Sequence, residues 1–376
     1  MNGRVNMHDI AKRAKVSIGT VSNVLNGTVA VREPSRQRVL EAIKAFGYHR
    51  SQLASGLRRD YTNIIGMIVP DITNPFFPSL VRAAEDVAYK HKFRLVLCNS
   101  DNDPQKEASY LTELQSYLPA GLLLIPAVDS LLREQPMRNG RPTPTVCIDR
   151  KPQGWKCDTI YAGNENGAYA ATLHLIDHGH RRIAIIGGPS HLANARQRLR
   201  GFRRALKEAG IPLPDAYVQT GRFDRASGLE SALCLLRPAT RPTAIFAAND
   251  LMAMGAMLGM RELGLRCPED VSIVGFDNLD IVDLLQPPLT TIQQPVYRLG
   301  VTAAELLLRR ISGSSEAPQE IVLETELIRR DSVARAQPLE AARSPRGELK
   351  APERPSAGAR KRSSVPGAAR GIFQRI

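Results

Sequence analysis

The 376-residue sequence has no apolar run near the roughly 18 residues that a membrane-spanning helix requires, so no membrane association is expected. The opening stretch MNGRVNMHDIAKRAKV lacks the apolar centre of a secretory signal, which predicts a cytoplasmic protein. Cysteine is scarce. Cys98, Cys147, Cys157, Cys234 and Cys267 are scattered, odd in number and without CxxC spacing, which argues against a disulfide framework and reads as reduced core thiols. Phosphate-cradling loops of the GxGxxG or GxxxxGK(S/T) type are missing. His174 and His178 stand at zinc-compatible spacing, but no HExxH glutamate accompanies them, and His178-Gly179-His180 reads as a helix end. Neither a Ser/His/Asp nor a Cys/His set can be assembled. No metal, cofactor or catalytic centre is therefore expected.

What is present is charge, unevenly placed. Residues 1–60 hold 11 Lys/Arg against 4 Asp/Glu, and residues 336–376 hold 9 against 3, while the whole chain carries +14. A basic head on a nearly neutral body fits a polyanion-binding module joined to something else; a solvated basic surface fits the same arithmetic. The head reads as three short helices. Asn6 can cap the first, with Asp9 in the capping-box position and Ile10, Ala11 and Ala14 inward. Ser17 can cap the second, VSIGTVSNVLNG, which stops at Asn26-Gly27. The third runs from about Glu33 to Phe46, with Val39, Ile43 and Phe46 on one face and Gly47 as a stop. The second helix has an outer face of small polar groups almost without charge. Short hydrogen-bonding side chains suit a helix pressed against base edges and phosphates, as in the helix-turn-helix plan. A small helical bundle with a polar face is the other reading.

From Asn63 the pattern changes to β-rich runs alternating with amphipathic stretches: 64–69, 94–98, 121–125, 145–148, 183–187, 243–247 and 272–276. This alternation implies parallel sheets with helical crossovers, and its length implies two similar lobes. Polar and aromatic residues fall just after the strands, where open α/β sheets bind ligands. Asp71, Asn74, Phe76 and Phe77 follow the first. Asp149 and Arg150 follow TVCI, Asn249 and Asp250 follow TAIFAA, and Asp277 follows SIVGF. Arg198, Phe223 and Gln294 lie in later helical, loop and crossover segments. Carboxylates, amides and an arginine with aromatic faces suit a polyol. Asp71 can be a turn residue, and Asp250 is expected to cap the following helix.

MHDIAKRAKVSIGTVSNVLNG, VREPSRQRVLEAIKAFGYHRSQLASGL, IIGMIVPDITNPFF, LIDHGHRRIAIIGGP, FAANDLMAMGAM, VSIVGFDN and PPLTTIQQP occur in order. Together they resemble the lactose-repressor (LacI/GalR) family of bacterial transcription factors over about residues 5–333. The resemblance implies an all-α helix-turn-helix head (1–50), a hinge helix (51–60), and an α/β two-lobed, periplasmic-binding-protein-like body of Rossmann-like lobes (61–335). The N-lobe would take about 61–161 plus 293–323, the C-lobe about 162–292 plus 324–335. The tail, 336–376, has no periodicity and reads as disordered.

The resemblance also implies roles. Ile18, Gly19 and Asn23 stand where the family varies with operator sequence, and Asn23 is the best polar base reader among them. Ser17, Thr20, Ser22 and Asn26 look like phosphate anchors. Arg32 departs from the Ser or Thr that usually caps the third helix. In the hinge, Leu57 would wedge into a minor-groove base step, with Ala54 between hinge helices and Arg58 near the backbone. Gly56 lowers helicity by up to roughly 1 kcal/mol, which suits a segment that orders only on DNA. In the body, Asn74, Phe76, Phe77, Asp149, Arg150, Arg198, Phe223, Asn249, Asp277 and Gln294 match the set that ribose-binding periplasmic proteins place around their sugar. The expected protein is a homodimeric repressor of a pseudo-palindromic double-stranded operator, nucleoid-associated when bound. Its effector would be a sugar, ribose-like first, with other sugars, nucleosides and purines open. A sugar-uptake binding protein and a sugar-modifying enzyme are the competing classes.

Overall fold

The computed structural model describes residues 5–26, 29–47, 61–128, 134–238 and 240–336. The expected hinge helix, with Ala54, Leu57 and Arg58, and the tail from 337 onward lie outside those residues.

The head comprises α1 (Met7–Ala14), α2 (Ile18–Asn26) and α3 (Glu33–Phe46). Asn6 Oδ1 accepts from the Asp9 N–H at 3.2 Å while Asp9 Oδ2 accepts from the Asn6 N–H at 2.9 Å, the reciprocal cap that the sequence implies. Lys15 turns the chain at a left-handed φ of 53°, and the Val16 N–H reaches back to the Ala11 carbonyl at 3.1 Å. Ser17 Oγ then accepts from the Thr20 N–H at 3.1 Å and starts α2. Arg32 supplies α3 with no side-chain cap, and Gly47 closes it at φ 57°. Ile10, Ala11, Ala14, Val21, Val39 and Ala42 form the core, with Ile43 and Phe46 at its margin. This small core fixes the angle between α1 and α2.

The body is built on two six-stranded sheets. The first contains β1 (Ile64–Val69), β2 (Arg94–Asn99), β3 (Gly121–Leu124), β6 (Thr145–Ile148), β7 (Asp158–Ala162) and β13 (Glu320–Leu323), in the order β13-β7-β6-β3-β1-β2. A two-residue-strand hairpin, β4 (Met137–Arg138) with β5 (Arg141–Pro142), stands outside it. One face is covered by α4 (Phe76–Lys90) and α10 (Val296–Ile311), through Leu80, Ala84, Leu299 and Ala303. The other is covered by α5 (Pro104–Ser116), through Leu111 and Leu114.

The second sheet contains β8 (Ile183–Gly187), β9 (Val218–Thr220), β10 (Ala244–Ala247), β11 (Ser272–Asp277), β12 (Thr290–Gln293) and β14 (Glu326–Ile328), in the order β14-β12-β11-β10-β8-β9. α6 (Asn164–Asp177) and α7 (Ala193–Glu208) cover one face, and α8 (Arg225–Leu236) and α9 (Asp250–Glu262) the other. The chain passes between the sheets three times: after β7, after β12 and after β13.

All seven strands expected from apolar runs form. Those the sequence reading left out are short and carry weaker apolar signals. β12 reads TTIQ, and its buried Thr290 spends its hydroxyl on the Arg330 carbonyl at 3.0 Å rather than on solvent. β13 and β14 are edge strands with alternating or partial burial. β14 pairs antiparallel with β12, so the second sheet is mixed rather than wholly parallel. At the expected helix end, His178 caps α6 through Nδ1 and the His174 carbonyl at 2.7 Å, and Gly179 follows at φ 86°.

Candidate effector site and DNA-reading helix

The ends of β1, β6, β10 and β11 converge on one small cleft. Asn74, Phe76, Phe77, Asp149, Arg150, Arg198, Phe223, Asn249, Asp277 and Gln294 all line it, from both lobes. The structure adds Asn194, which the sequence reading did not single out.

On the N-lobe side, Asn74 Oδ1 accepts from the Phe76 N–H at 3.1 Å, fixing the entry to α4. Phe76 and Phe77 meet edge to face, ring centres 5.2 Å apart, and wall the cavity. Asp149 leaves β6 at a left-handed φ of 63°. Its Oδ2 accepts from Asn194 Nδ2 at 2.6 Å across the cleft, while its buried Oδ1 has no hydrogen-bond partner among the described residues. Arg150 is anchored by donating to the Pro126 carbonyl at 2.9 Å.

On the C-lobe side, Arg198 is buried at the centre of the cluster. Nε donates to Asn164 Oδ1 at 2.8 Å, Nη1 lies 3.6 Å from Asp277 Oδ1, and the guanidinium sits 3.8 Å over the Phe276 ring. Phe223, at φ 63°, lies 5.7 Å from the same guanidinium. Gly188 is what admits that ring: a Cβ there would come within 2.2 Å of Phe223 Cζ. Asn249 caps α9, accepting from the Met252 N–H at 2.9 Å, and donates through Nδ2 to the Phe223 carbonyl at 2.9 Å. Asp277 sits at φ 125° and accepts from Gln294 Nε2 at 2.6 Å; Gln294 Oε1 is buried with no hydrogen-bond partner among the described residues. Three non-glycine residues at positive φ around one cavity mark backbone strain held in place by the surrounding packing.

Burial dominates the electrostatics. It pushes the Asp277 carboxyl up to about 6 despite the nearby Arg198, and lowers Arg198 from its usual range. Asp250 does not cap α9, as expected from the sequence; Asn249 does. Asp250 is fully buried behind the cavity, accepting from Thr291 Oγ1 at 2.6 Å and the Leu279 N–H at 2.9 Å, and burial beside Asp277 pushes it up to about 8. Asp71 is a turn residue, accepting from the Thr73 N–H at 2.8 Å. Asn194 and Asn164 were within reach of sequence reasoning: Asn194 stands four residues before Arg198 on the same face of α7, and Asn164 opens α6 directly after a crossover. The set joins fixed carboxylate and amide acceptors, two guanidinium donors and aromatic walls in a small cleft. That is chemistry for holding a small polar molecule.

In the head, Ser17, Ile18 and Gly19 are exposed at the start of α2, and Thr20, Ser22 and Asn23 are partly exposed. Asn26 ends the helix. Ile18 presents an apolar side chain to solvent, 44% exposed, where a monomeric helix would normally place a polar one.

Residues 6–51 match the family model for bacterial regulatory proteins of the lacI family, and residues 172–333 match that for the periplasmic binding protein-like domain. The chain is 37% identical over 331 residues to the HTH-type transcriptional repressor PurR of Photobacterium profundum, covering 86% of this chain and 97% of that protein. Among solved structures it is similar to the lac repressor dimer bound to operator and the anti-inducer ONPF. That match has 27% identity and a TM-score of 0.77, over 88% of this chain and 100% of the other. It is also similar to a LacI family transcriptional regulator of Enterococcus faecium with bound ribose. Here identity is 34% and the TM-score 0.64, over 73% of this chain and 100% of the other. The chain therefore belongs to the lacI family of bacterial regulatory proteins and is a DNA-binding transcriptional repressor, not an enzyme.

Proposed function

We propose that operator affinity is set by a ribose-like monosaccharide bound in the cleft between the lobes. The observation that carries this reading is the pair of buried acceptors, Asp149 Oδ1 and Gln294 Oε1, that find no donor among the described residues and belong to the lining of a cleft walled by Phe76, Phe77 and Phe223. Buried acceptors are costly unless hydrogen-bonded, and sugar hydroxyls supply the donors. Arg150 and Arg198 donate to ring and hydroxyl oxygens, and the phenyl faces stack on C–H surfaces. Two solved relatives carry bound ribose, at 34% and 35% identity.

The remaining parts follow from the family's plan. A cytoplasmic homodimer places two α2 helices on a pseudo-palindromic operator, with Ile18, Gly19 and Asn23 at base edges and Ser17, Thr20, Ser22 and Asn26 at phosphates. Leu57 wedges into a minor-groove base step, with Ala54 between the two hinge helices and Arg58 near the DNA backbone. Effector binding bridges the lobes, biases their closure and changes the spacing of the heads. The second reading is a purine base. The curated relatives at 37% identity are PurR repressors rather than ribose-bound regulators, and the aromatic walls also suit a flat heterocycle.

Titration calorimetry of the full chain against D-ribose, other pentoses, hexoses, and hypoxanthine tests the assignment, with gel shifts on a duplex selected from a randomised library. Ribose or a close pentose should bind and shift the DNA equilibrium. Binding of hypoxanthine with none by any sugar would overturn the sugar reading in favour of the purine one.

A further inference from the structure

Cys147 and Cys157 are both buried, and their sulfurs lie 3.3 Å apart with no bond between them. They bracket a segment of nine residues that includes Asp149, Arg150 and Trp155. Cys147 is in β6, two residues before Asp149. Cys157 lies in the bend just before β7, outside the hydrogen-bonded ladder, so it is freer to move than its partner. Beyond it, Asp158 takes a bidentate ion pair from Arg310 at 2.7 and 2.8 Å.

We propose that Cys147 and Cys157 are an oxidant-sensing dithiol, converted by hydrogen peroxide to an intrachain disulfide that distorts the loop carrying Asp149 and Arg150 and weakens binding in the cleft. The chemistry balances. The Cys157 thiolate attacks one peroxide oxygen, the O–O bond breaks, and the departing hydroxide takes up a proton as water. The Cys157 sulfenic acid is then attacked by the Cys147 sulfur, the S–O bond breaks, and the hydroxyl leaves as water with the Cys147 proton. Two thiols lose two electrons, and one peroxide becomes two waters. The division of labour follows the contact between the two sulfurs, which holds the Cys157 thiol below its usual range and pushes the Cys147 thiol above it.

Bond formation draws the sulfurs together by about 1.3 Å, from 3.3 Å to the roughly 2.05 Å of a disulfide. Asp149 cannot absorb much of that. It is held at φ 63° by a 2.6 Å hydrogen bond from Asn194, and a displacement of that size breaks such a bond. The effect on ligand binding rests on reading the cleft as the effector site; formation of the disulfide does not.

The chain has a single tryptophan, Trp155, which packs in the same cluster as the two cysteines and so reports on them directly. The reduced full-length protein is treated with hydrogen peroxide. It is then read by Trp155 fluorescence, by non-reducing peptide mapping and by calorimetry with D-ribose. The expected result is a Cys147–Cys157 cross-link lighter by two hydrogens and a fluorescence change, both reversed by dithiothreitol. Both should be absent in Cys157→Ser and in Cys147→Ser. Ribose affinity should fall about tenfold, the scale of one misaligned charge-assisted hydrogen bond. Oxidation of the exposed Cys234 without a cross-link at the pair overturns the proposal. A cross-link with unchanged ribose affinity overturns its coupling to the cleft. If even the reduced protein binds no ribose, the effector assignment fails while the mass and fluorescence results still decide the disulfide.

Discussion

Replacing Asp277 by Asn separates what this carboxylate does for the ligand from what it does for the fold. Its Oδ1 is 3.6 Å from Arg198 and accepts from Gln294 at 2.6 Å, and the side chain is closed off from solvent. A charge-assisted hydrogen bond to a sugar hydroxyl contributes roughly 1.5–3 kcal/mol, so Asp277→Asn is expected to weaken effector binding about tenfold to a hundredfold. Stability should move the other way. The folded carboxyl is raised from 3.8 to about 6, which means desolvation outweighs the attraction of Arg198. A carboxyl raised on folding stabilises the protein fully below pH 3.8. That contribution is lost as pH climbs through about 6, leaving a penalty of about 3 kcal/mol at neutral pH. The Asn variant escapes most of this. Calorimetry with ribose and thermal melts at pH 7.5 are the assays, with weaker binding and an equal or higher Tm expected. Wild-type ribose affinity in a folded variant would falsify the placement of Asp277 against the ligand; a large drop in Tm would show that Arg198 depends on it.

Four further outcomes are expected. Asn23→Ala should relax specificity at one base position by about 1–3 kcal/mol in a binding-site selection, while leaving the salt dependence of binding nearly unchanged. Leu57→Ala should weaken specific binding and reduce DNA bending in a circular-permutation assay, with non-specific affinity preserved; unaltered bending would exclude a wedge. Deleting residues 1–60 should abolish operator binding in a gel shift and leave ribose affinity within error. Burial pushes His174 and His180 down to about 4. Each therefore stabilises the fold above pH 6.5 and loses that contribution as pH falls toward 4, by up to about 1.4 kcal/mol per pH unit. Thermal melts from pH 7.5 to 4.5 should show this acid loss, shallower in His180→Gln.

Elements governed by local chemistry were legible. Asn6, Asp9, Ser17 and Gly47 act within three or four residues of their own positions, and their caps could be read directly from the sequence. The cleft-lining set was legible for another reason: parallel strands end at a common edge, so residues just after TVCI, TAIFAA and SIVGF had to converge. What escaped depends on contacts between distant segments. Asp250 was expected to cap the helix it opens, but Thr291 and Leu279, 41 and 29 residues away, claim its oxygens, and the cap falls to its neighbour Asn249. Asn194 matters because Asp149 reaches it across the cleft, which no local pattern encodes. The edge strands β13 and β14 gain their strand character from partners more than thirty residues earlier, through pairings such as Ile321 with Ile160 and Ile292 with Leu327.

The three passages of the chain between the sheets also bear on how the protein is made. β13 and β14, which complete the edges of the two sheets, are separated by only Glu324 and Thr325, near the end of the described body. A ribosome that has delivered everything up to α10 has therefore produced two lobes that each still lack an edge strand. The neighbouring strands β7 and β12 then offer unpaired backbone to any other nascent chain. Both edges close within moments of each other, once the last few residues of the body emerge. The two lobes therefore reach completion together rather than in sequence, and a chain cut short before residue 320 leaves both open at once.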